Sequence, residues 1–275
     1  MTKKRLKLSP ISLMHCWKLV FRSGLLIWAL ITYAFNPELH GISFAEGFAK
    51  YRYLLYLVWI IFAVEMVLRF FPAKTESMGC QKQFAKNFRP AKESLPPDPR
   101  DKSGGSLLPV ILSWLALNGA LGALYLTGIL DDACMLMLVL FYAVSDMICI
   151  LFFCPFQSWM MHNRCCTTCR IYNWDYLMMF TPFLFIPTVY TWSLGGMALL
   201  LFIRWEVTAK RHPEFFREED NESLRCAGCK ERLCIHKTQL HHLWKQEIKQ
   251  LEAERDRLEK RLDEIYQSIG KPRNK

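Results

Sequence analysis

Hydrophobic residues of this chain fall into long uncharged runs, and the charged residues collect in the connections between them. Five of the runs are long enough to cross a hydrocarbon layer about 30 Å thick, which takes about 20 helical residues. The runs begin near Trp17, Tyr51, Leu107, Ala133 and Ile171. This pattern predicts an all-α, polytopic helical membrane protein.

The fifth run is about twice as long as one membrane crossing needs, because it continues to about Lys210. Midway it contains two prolines and then a Thr-Trp-Ser sequence. A tight hairpin at residues 191–193 would divide the run into two spans, residues 171–190 and 194–210. The alternative is a single long helix kinked by its prolines, which membrane helices tolerate.

Basic residues in the connections decide between these alternatives. Lys and Arg are concentrated before the first run, between the second and third runs, after the fourth run and in the tail. The first connection has little beyond Lys50, and the Asp131-Asp132 turn has no basic residue. Because basic connections stay in the cytoplasm, we expect a multi-pass protein of the cell inner membrane with both termini cytoplasmic. The prediction is six transmembrane helices arranged as three hairpins, with five crossings as the alternative.

The C-terminal tail repeats apolar residues at alternate spacings of four and three, which predicts a coiled coil of nearly four heptads. An amphipathic helix on the protein's own surface is the alternative. In a parallel homodimer Glu247 would face Glu252 and Glu254 would face Glu259, so we expect that homodimer to be weak and a basic helical partner to bind along residues 244–269. The apolar positions are Trp244, Ile248, Leu251, Leu258, Leu262, Ile265 and Ile269, with Arg255 at one a position.

The predicted organisation therefore has seven parts. They are a first transmembrane hairpin at residues 1–71, a basic Pro/Gly-rich cytoplasmic linker at 72–106, a second hairpin at 107–154, a Cys-rich cytoplasmic loop at 155–170, a third hairpin at 171–210, a cytoplasmic Cys-rich knuckle at 211–237 and the coiled-coil helix at 238–270.

Composition agrees with a membrane protein: 52% of the 275 residues are hydrophobic, and the formal net charge is +10. A basic excess can also mark nucleic-acid binding. Here the basic residues lie in the gaps between apolar runs, so we expect the lipid bilayer as a partner and no nucleic acid.

Two Cys-x-x-Cys sequences are the most specific chemical feature among the 11 cysteines. The first hook is Cys166 with Cys169, and the second hook is Cys226 with Cys229. Both hooks are cytoplasmic in the six-span interpretation, where thiols stay reduced. Because two such hooks commonly supply four thiolates to one tetrahedral zinc, the sequence predicts a zinc site shared between the loop and the tail.

Other uses of these cysteines stay open. The tail alone could complete a site from Cys226, Cys229, Cys234 and His236. An Fe-S cluster could use the same thiolates, although neither ferredoxin-type spacing is present. The cysteines could also be reduced structural residues or acylation sites near the membrane.

Charged residues inside the apolar runs are the second candidate site. Arg22, Glu65 and Asp146 lie in the first, second and fourth runs, each about 9–12 Å from the cytoplasmic end at 1.5 Å per residue. A charge at that depth costs up to about 2.5 kcal/mol, so we expect an Arg22–Asp146 or Arg22–Glu65 ion pair. Such a pair would either lock three helices together or line a path for protons or ions.

Three functions fit these features. The first is a non-enzymatic interaction or scaffold protein, with a zinc-held cytoplasmic face and a coiled coil for partner binding. The second is a membrane redox component that passes electrons through clustered thiols or an Fe-S cluster. The third is a small transporter that uses Glu65 and Asp146. We expect a non-enzyme, because no catalytic triad, phosphate-binding loop or zinc-protease motif can be read from the sequence.

Overall fold

The computed structural model describes residues 10–72, 81–91, 107–162, 169–225, 245 and 248–262, with backbone alone at 10 and 11. The chain divides into two compact units. One unit comprises residues 8–232, and the other comprises residues 1–7 with 233–275. All helices numbered below belong to the first unit.

The first unit is all-helical, as predicted, and the residues described contain no strand. Six α-helices lie wholly within its described ranges, and the first four of them are long and apolar enough to cross a membrane. The helices are α1 (Pro10–Phe35), α2 (Phe44–Leu68), α3 (Leu108–Leu126), α4 (Asp132–Leu151), α5 (Asp175–Phe180) and α6 (Val189–Arg211).

Short polar sequences set where the long helices begin. The Ser43 side chain accepts from the backbone N–H of Glu46, and the Glu46 side chain accepts from the backbone N–H of Ser43, which forms a capping box before α2. Asp131 caps α4 by accepting from the N–H of Cys134 at 2.7 Å. These caps keep the connections short, so α1 with α2 and α3 with α4 form two hairpins.

The turns of the two hairpins are joined to each other at one end of the bundle, which we call the turn end. Asp131 accepts from the Tyr33 hydroxyl and from the Gly41 N–H, both at 3.0 Å. Asp132 accepts from the Phe44 N–H at 2.6 Å. The opposite end, where α1 begins and α2 and α4 finish, is called the root end.

The segment after Cys169 is not one long kinked helix. It consists of a 3-10 turn at Arg170–Trp174, the six-residue helix α5 and a second 3-10 turn at Thr181–Phe185. Pro182 stands at the start of the second 3-10 turn. Because proline has no N–H to donate to the preceding turn, it favours this break in the α-helix.

The chain then reverses at residues 186–188, so the predicted hairpin position at 191–193 is wrong. Thr188 and Thr191 form a capping box that starts α6, and residues 191–193 lie inside its first turns. The Thr188 hydroxyl accepts from the Thr191 N–H and supplies the cap that the sequence interpretation overlooked. The reversal lies at the turn end, because the Tyr190 ring contacts Phe44 at 5.4 Å between centroids.

Aromatic residues from the third hairpin fill the core of the unit. Tyr176, Phe180 and Phe183 are each at most 2% exposed and stack along the segment, with centroids 6.3 Å and 5.9 Å apart. The Phe180 ring meets Phe62 of α2 edge to face at 5.3 Å. Residues 176–183 therefore pack into the core against the first two hairpins.

Outward faces of the long helices are apolar. Trp17 of α1, Leu115 of α3 and Leu200 of α6 are between 61% and 71% exposed. Apolar surface on this scale is unfavourable in water and is compatible with contact to a lipid bilayer.

Residues 248–262 of the second unit form a helix. Leu251 and Leu258, two residues of the predicted seam, are 62% and 61% exposed. Helix is what the heptad pattern predicts here, whereas pairing of the seam in a coiled coil stays a prediction.

Candidate functional site

Arg22 is the centre of a charged network buried between three helices. Its Nη2 lies 2.9 Å from Glu65 Oε2 of α2, and its Nη1 lies 3.2 Å from Asp146 Oδ2 of α4. Nη1 also donates to the Ala143 carbonyl at 3.1 Å, and the guanidinium lies over the Phe62 ring. The structure thus brings together the three charged residues that the sequence places at one depth.

Glu65 has two further partners that the sequence interpretation did not name. Lys18 Nζ lies 3.0 Å from its Oε1, one turn of α1 before Arg22. The Tyr176 hydroxyl donates to its Oε2 at 3.0 Å. Glu65 therefore connects α1 and α2 to the third hairpin.

A second buried ion pair extends the network toward the root end. Arg69 donates to Asp175 Oδ1 at 2.7 Å, and its guanidinium lies 4.4 Å from the centroid of the Tyr176 ring. The side chains of Arg69 and Asp175 are only 6% and 7% exposed. Asp175 lies within the predicted span 171–190, so its charge in an apolar run was a usable signal that was missed.

Among the described residues, the network is balanced in charge when its side chains are ionised. Three cationic side chains, Lys18, Arg22 and Arg69, face three carboxylates. Burying an unpaired charge is far more costly than burying a pair that neutralises itself. The network can therefore lie inside an apolar bundle without leaving net charge there.

A cavity of about 120 Å³ adjoins the network at Asp146 and Asp175. Three thiols, those of Cys149, Cys154 and Cys169, also line it. The remaining wall is mainly aromatic and aliphatic. This cavity was not predicted, because its walls come from four separate segments of the chain.

The root end carries a folded platform made from polar segments outside the helices. Asn173 Nδ2 donates to Gln83 Oε1 at 2.7 Å, and both residues are buried. Asn221, which is fully buried, donates to the Lys82 carbonyl at 3.1 Å. Residues 81–91 belong to the predicted linker, and here they bind both the segment after Cys169 and the segment after α6.

Backbone bonds and a second side-chain cluster hold the same platform. The Ala91 N–H donates to the Asp220 carbonyl at 3.0 Å, beside a bridge between Pro90 and Asn221. Glu206 of α6 accepts from Trp174 Nε1 at 2.7 Å and pairs with Arg170. The segment that follows the first hook is therefore anchored to α6 as well.

Most of the predicted metal ligands lie outside the described residues: Cys166, Cys226, Cys229, Cys234 and His236. Cys169 is described, is 5% exposed, and its Sγ lies 3.9 Å from the sulfur of Met161. Across the described ranges, no group of three or more His, Cys, Asp or Glu side chains could hold a metal ion.

Comparisons with protein-family models, curated proteins and solved structures find no match to this chain.

Proposed function

We propose that this chain is a non-enzymatic membrane anchor that presents a zinc-held cytoplasmic face and a coiled-coil helix to a partner protein. One observation carries the proposal. Two consecutive residues bind the segments next to the two cysteine hooks. Gln83 accepts a hydrogen bond from Asn173, just after the first hook, and the Lys82 carbonyl accepts one from Asn221, just before the second hook.

These contacts support a metal site shared by the two hooks, because each hook lies only a few residues along the chain from the platform. Cys169 is four residues before Asn173, and Cys226 is five residues after Asn221. At up to about 3.5 Å per residue, those segments extend at most about 14 Å and about 18 Å from the platform. Zinc bound by Cys166, Cys169, Cys226 and Cys229 would join the loop to the tail and fix the base of the tail helix.

Six membrane crossings are part of the proposal. The length of residues 170–185, the segment of short helices and 3-10 turns, supports a fifth crossing there. The two 3-10 turns and α5 occupy residues 170–185, and 3-10 helix rises about 2.0 Å per residue. Laid end to end they cover about 29 Å, close to the thickness of the hydrocarbon core. With the reversal at the turn end, α6 returns to the root end and completes a third hairpin.

The paired carboxylates favour an anchor over a transporter. Glu65, Asp146 and Asp175 each lie within 3.2 Å of a cationic nitrogen from Lys18, Arg22 or Arg69. A transported cation would have to displace one of these partners and leave it buried without a counter-charge, which is costly. We therefore assign the network a structural role, locking three helices and the third hairpin.

The partner that we propose is a basic helix bound along residues 244–269. Ile248, Leu251, Leu258 and Leu262 are between 38% and 62% exposed. Glutamates flank this seam at the e and g positions, where basic side chains of a partner would pair with them.

Metal content of the purified full-length protein tests the proposal. We expect one zinc per chain, retained in Cys16→Ser, a matched control in α1, and lost in Cys166→Ser and Cys226→Ser. Retention in Cys166→Ser together with loss in Cys234→Ser would instead establish the tail-only site. Iron together with visible absorbance would instead indicate that the protein is a redox component.

A further inference from the structure

The cavity beside the charge network is somewhat smaller than one known to hold a single aromatic ring. Its volume is about 120 Å³, and a cavity of about 150 Å³ in another protein binds benzene. Four aromatic rings line it, those of Trp114, Tyr142, Phe156 and Tyr172. The Trp114 ring lies 4.9 Å from that of Tyr142 and 6.4 Å from that of Phe156. The wall rings pack against each other, and their remaining faces and edges can pack offset or edge to face against an aromatic guest.

One wall of this mainly apolar cavity carries a hydrogen-bond acceptor with spare capacity. Asp146 lines the cavity and binds Arg22 through Oδ2. Among the described residues, hydrogen bonds and ion pairs of Asp146 use Oδ2, and none uses the other oxygen, Oδ1. Donors on the aromatic wall are already engaged: Trp114 Nε1 donates to Thr181 at 3.3 Å, and the Tyr142 hydroxyl donates to Asn118 at 3.5 Å.

The balance of charge restricts the ligand to a neutral molecule. The network beside the cavity contains three cations and three carboxylates. An added ammonium or carboxylate would be a buried charge without a counter-charge. A neutral hydroxyl, in contrast, can donate to Asp146 and leaves the balance unchanged.

We propose that this cavity is a binding site for a small phenol, whose ring contacts Trp114, Tyr142 and Phe156 and whose hydroxyl donates to Asp146 Oδ1. The residues proposed to contact the phenol, Asp146 and the three rings, are not among the proposed zinc ligands, although Cys169 lines the cavity as well. Cys149, on the same helix as Asp146, also lines the cavity, so the thiol marks a position where a larger side chain would exclude the ligand.

Fluorine NMR on the full chain in detergent micelles tests the site, with 4-fluorophenol, fluorobenzene and 4-fluorobenzylammonium as probes. We expect saturable binding of fluorophenol, at least about tenfold tighter than fluorobenzene, because a hydrogen bond to a charged acceptor is worth that much. The ammonium probe should bind more weakly than fluorophenol. Each probe also partitions into the micelles without binding the protein. This background is measured with Cys149→Phe, whose phenylalanine fills the cavity, and is subtracted.

Two variants separate the site from general effects on folding. Met137→Phe, also on α4, lines a different cavity and should bind fluorophenol as the wild type does. Asp146→Asn should still bind fluorobenzene and lose most of the preference for the phenol. The proposal is overturned if no probe shows saturable binding, if Cys149→Phe binds as well as Met137→Phe, or if the ammonium binds tightest.

Discussion

Arg22 and Glu65, 43 residues apart in sequence, form an ion pair 2.9 Å long inside the helical bundle. Side chains of these residues are 4% and 13% exposed. Since Arg22 also pairs with Asp146, one guanidinium joins α1, α2 and α4. Stability of the whole bundle should therefore depend on this side chain.

Replacing Arg22 by methionine should lower the free energy of unfolding by about 3–5 kcal/mol, because Asp146 would be left buried without its cation. Thermal unfolding in detergent measures this loss. Arg52→Met is the matched control, since Arg52 is on the exposed surface of α2 and its replacement should change stability by less than about 0.5 kcal/mol. Equal unfolding temperatures for the two variants would show that the network is not structural.

Asp131 should make the turn end sensitive to acid. Burial raises its pKa, but hydrogen bonds from the backbone N–H groups of Gly41 and Cys134 outweigh this and hold the pKa below the usual 3.8. A lowered pKa contributes stability above the unfolded value, and that contribution is lost as the pH falls through the folded value.

The wild type should therefore be more stable than Asp131→Asn at pH 7, and the difference should shrink as the pH falls below 3.8. Thermal unfolding over this pH range measures the difference. The exposed residue Asp256 supplies the control, and Asp256→Asn should track the wild type at every pH. A difference that grows in acid would contradict the role given to the Asp131 carboxylate.

The isolated segment 238–270 should not form a stable parallel homodimer at neutral pH. Glu247 would face Glu252 across such a dimer, Glu254 would face Glu259, and Arg255 would occupy the seam. Sedimentation at micromolar concentration should show a monomer, with helix content rising on acidification as the glutamates lose charge. Observation of a stable parallel dimer at neutral pH would remove the argument for a basic partner helix.

Both termini should lie in the cytoplasm, with three turns on the other side of the membrane. Reporter fusions after Lys275 and after Asp132 should give opposite signals, because basic residues are concentrated in the predicted cytoplasmic segments. A fusion after Pro187 should match the one after Asp132. An external signal after Lys275 would contradict the six-span topology.

Depth counting along the apolar runs was enough to place Arg22, Glu65 and Asp146 at one level, because helical rise is regular. It could not select Lys18 as the second cation, since Lys18 lies at the start of the first apolar run, where charges are normally solvated. The charge of Asp175 inside an apolar run could have marked it as a network residue. Its pairing with Arg69 could not be predicted, because it depends on how the third hairpin packs.

Local sequence was a weaker guide to the third hairpin and to the platform. The reversal at 186–188 depends on the cap by Thr188, and the Thr-Trp-Ser sequence nearby is equally polar. Asn221 binds Lys82 across 139 positions of sequence, and no local pattern indicates that a polar, basic segment will fold against a distant one. A local cap decided the reversal, and a tertiary hydrogen bond decided the platform contact.

X-ray absorption at the zinc edge of the purified full-length protein tests the central claim most directly. The shared site predicts one zinc surrounded by four sulfur atoms at about 2.3 Å, with no nitrogen neighbour. The Cys166→Ser variant should lose that signal. A shell of three sulfurs and one imidazole nitrogen, unchanged in Cys166→Ser, would assign the metal to Cys226, Cys229, Cys234 and His236 and contradict the account.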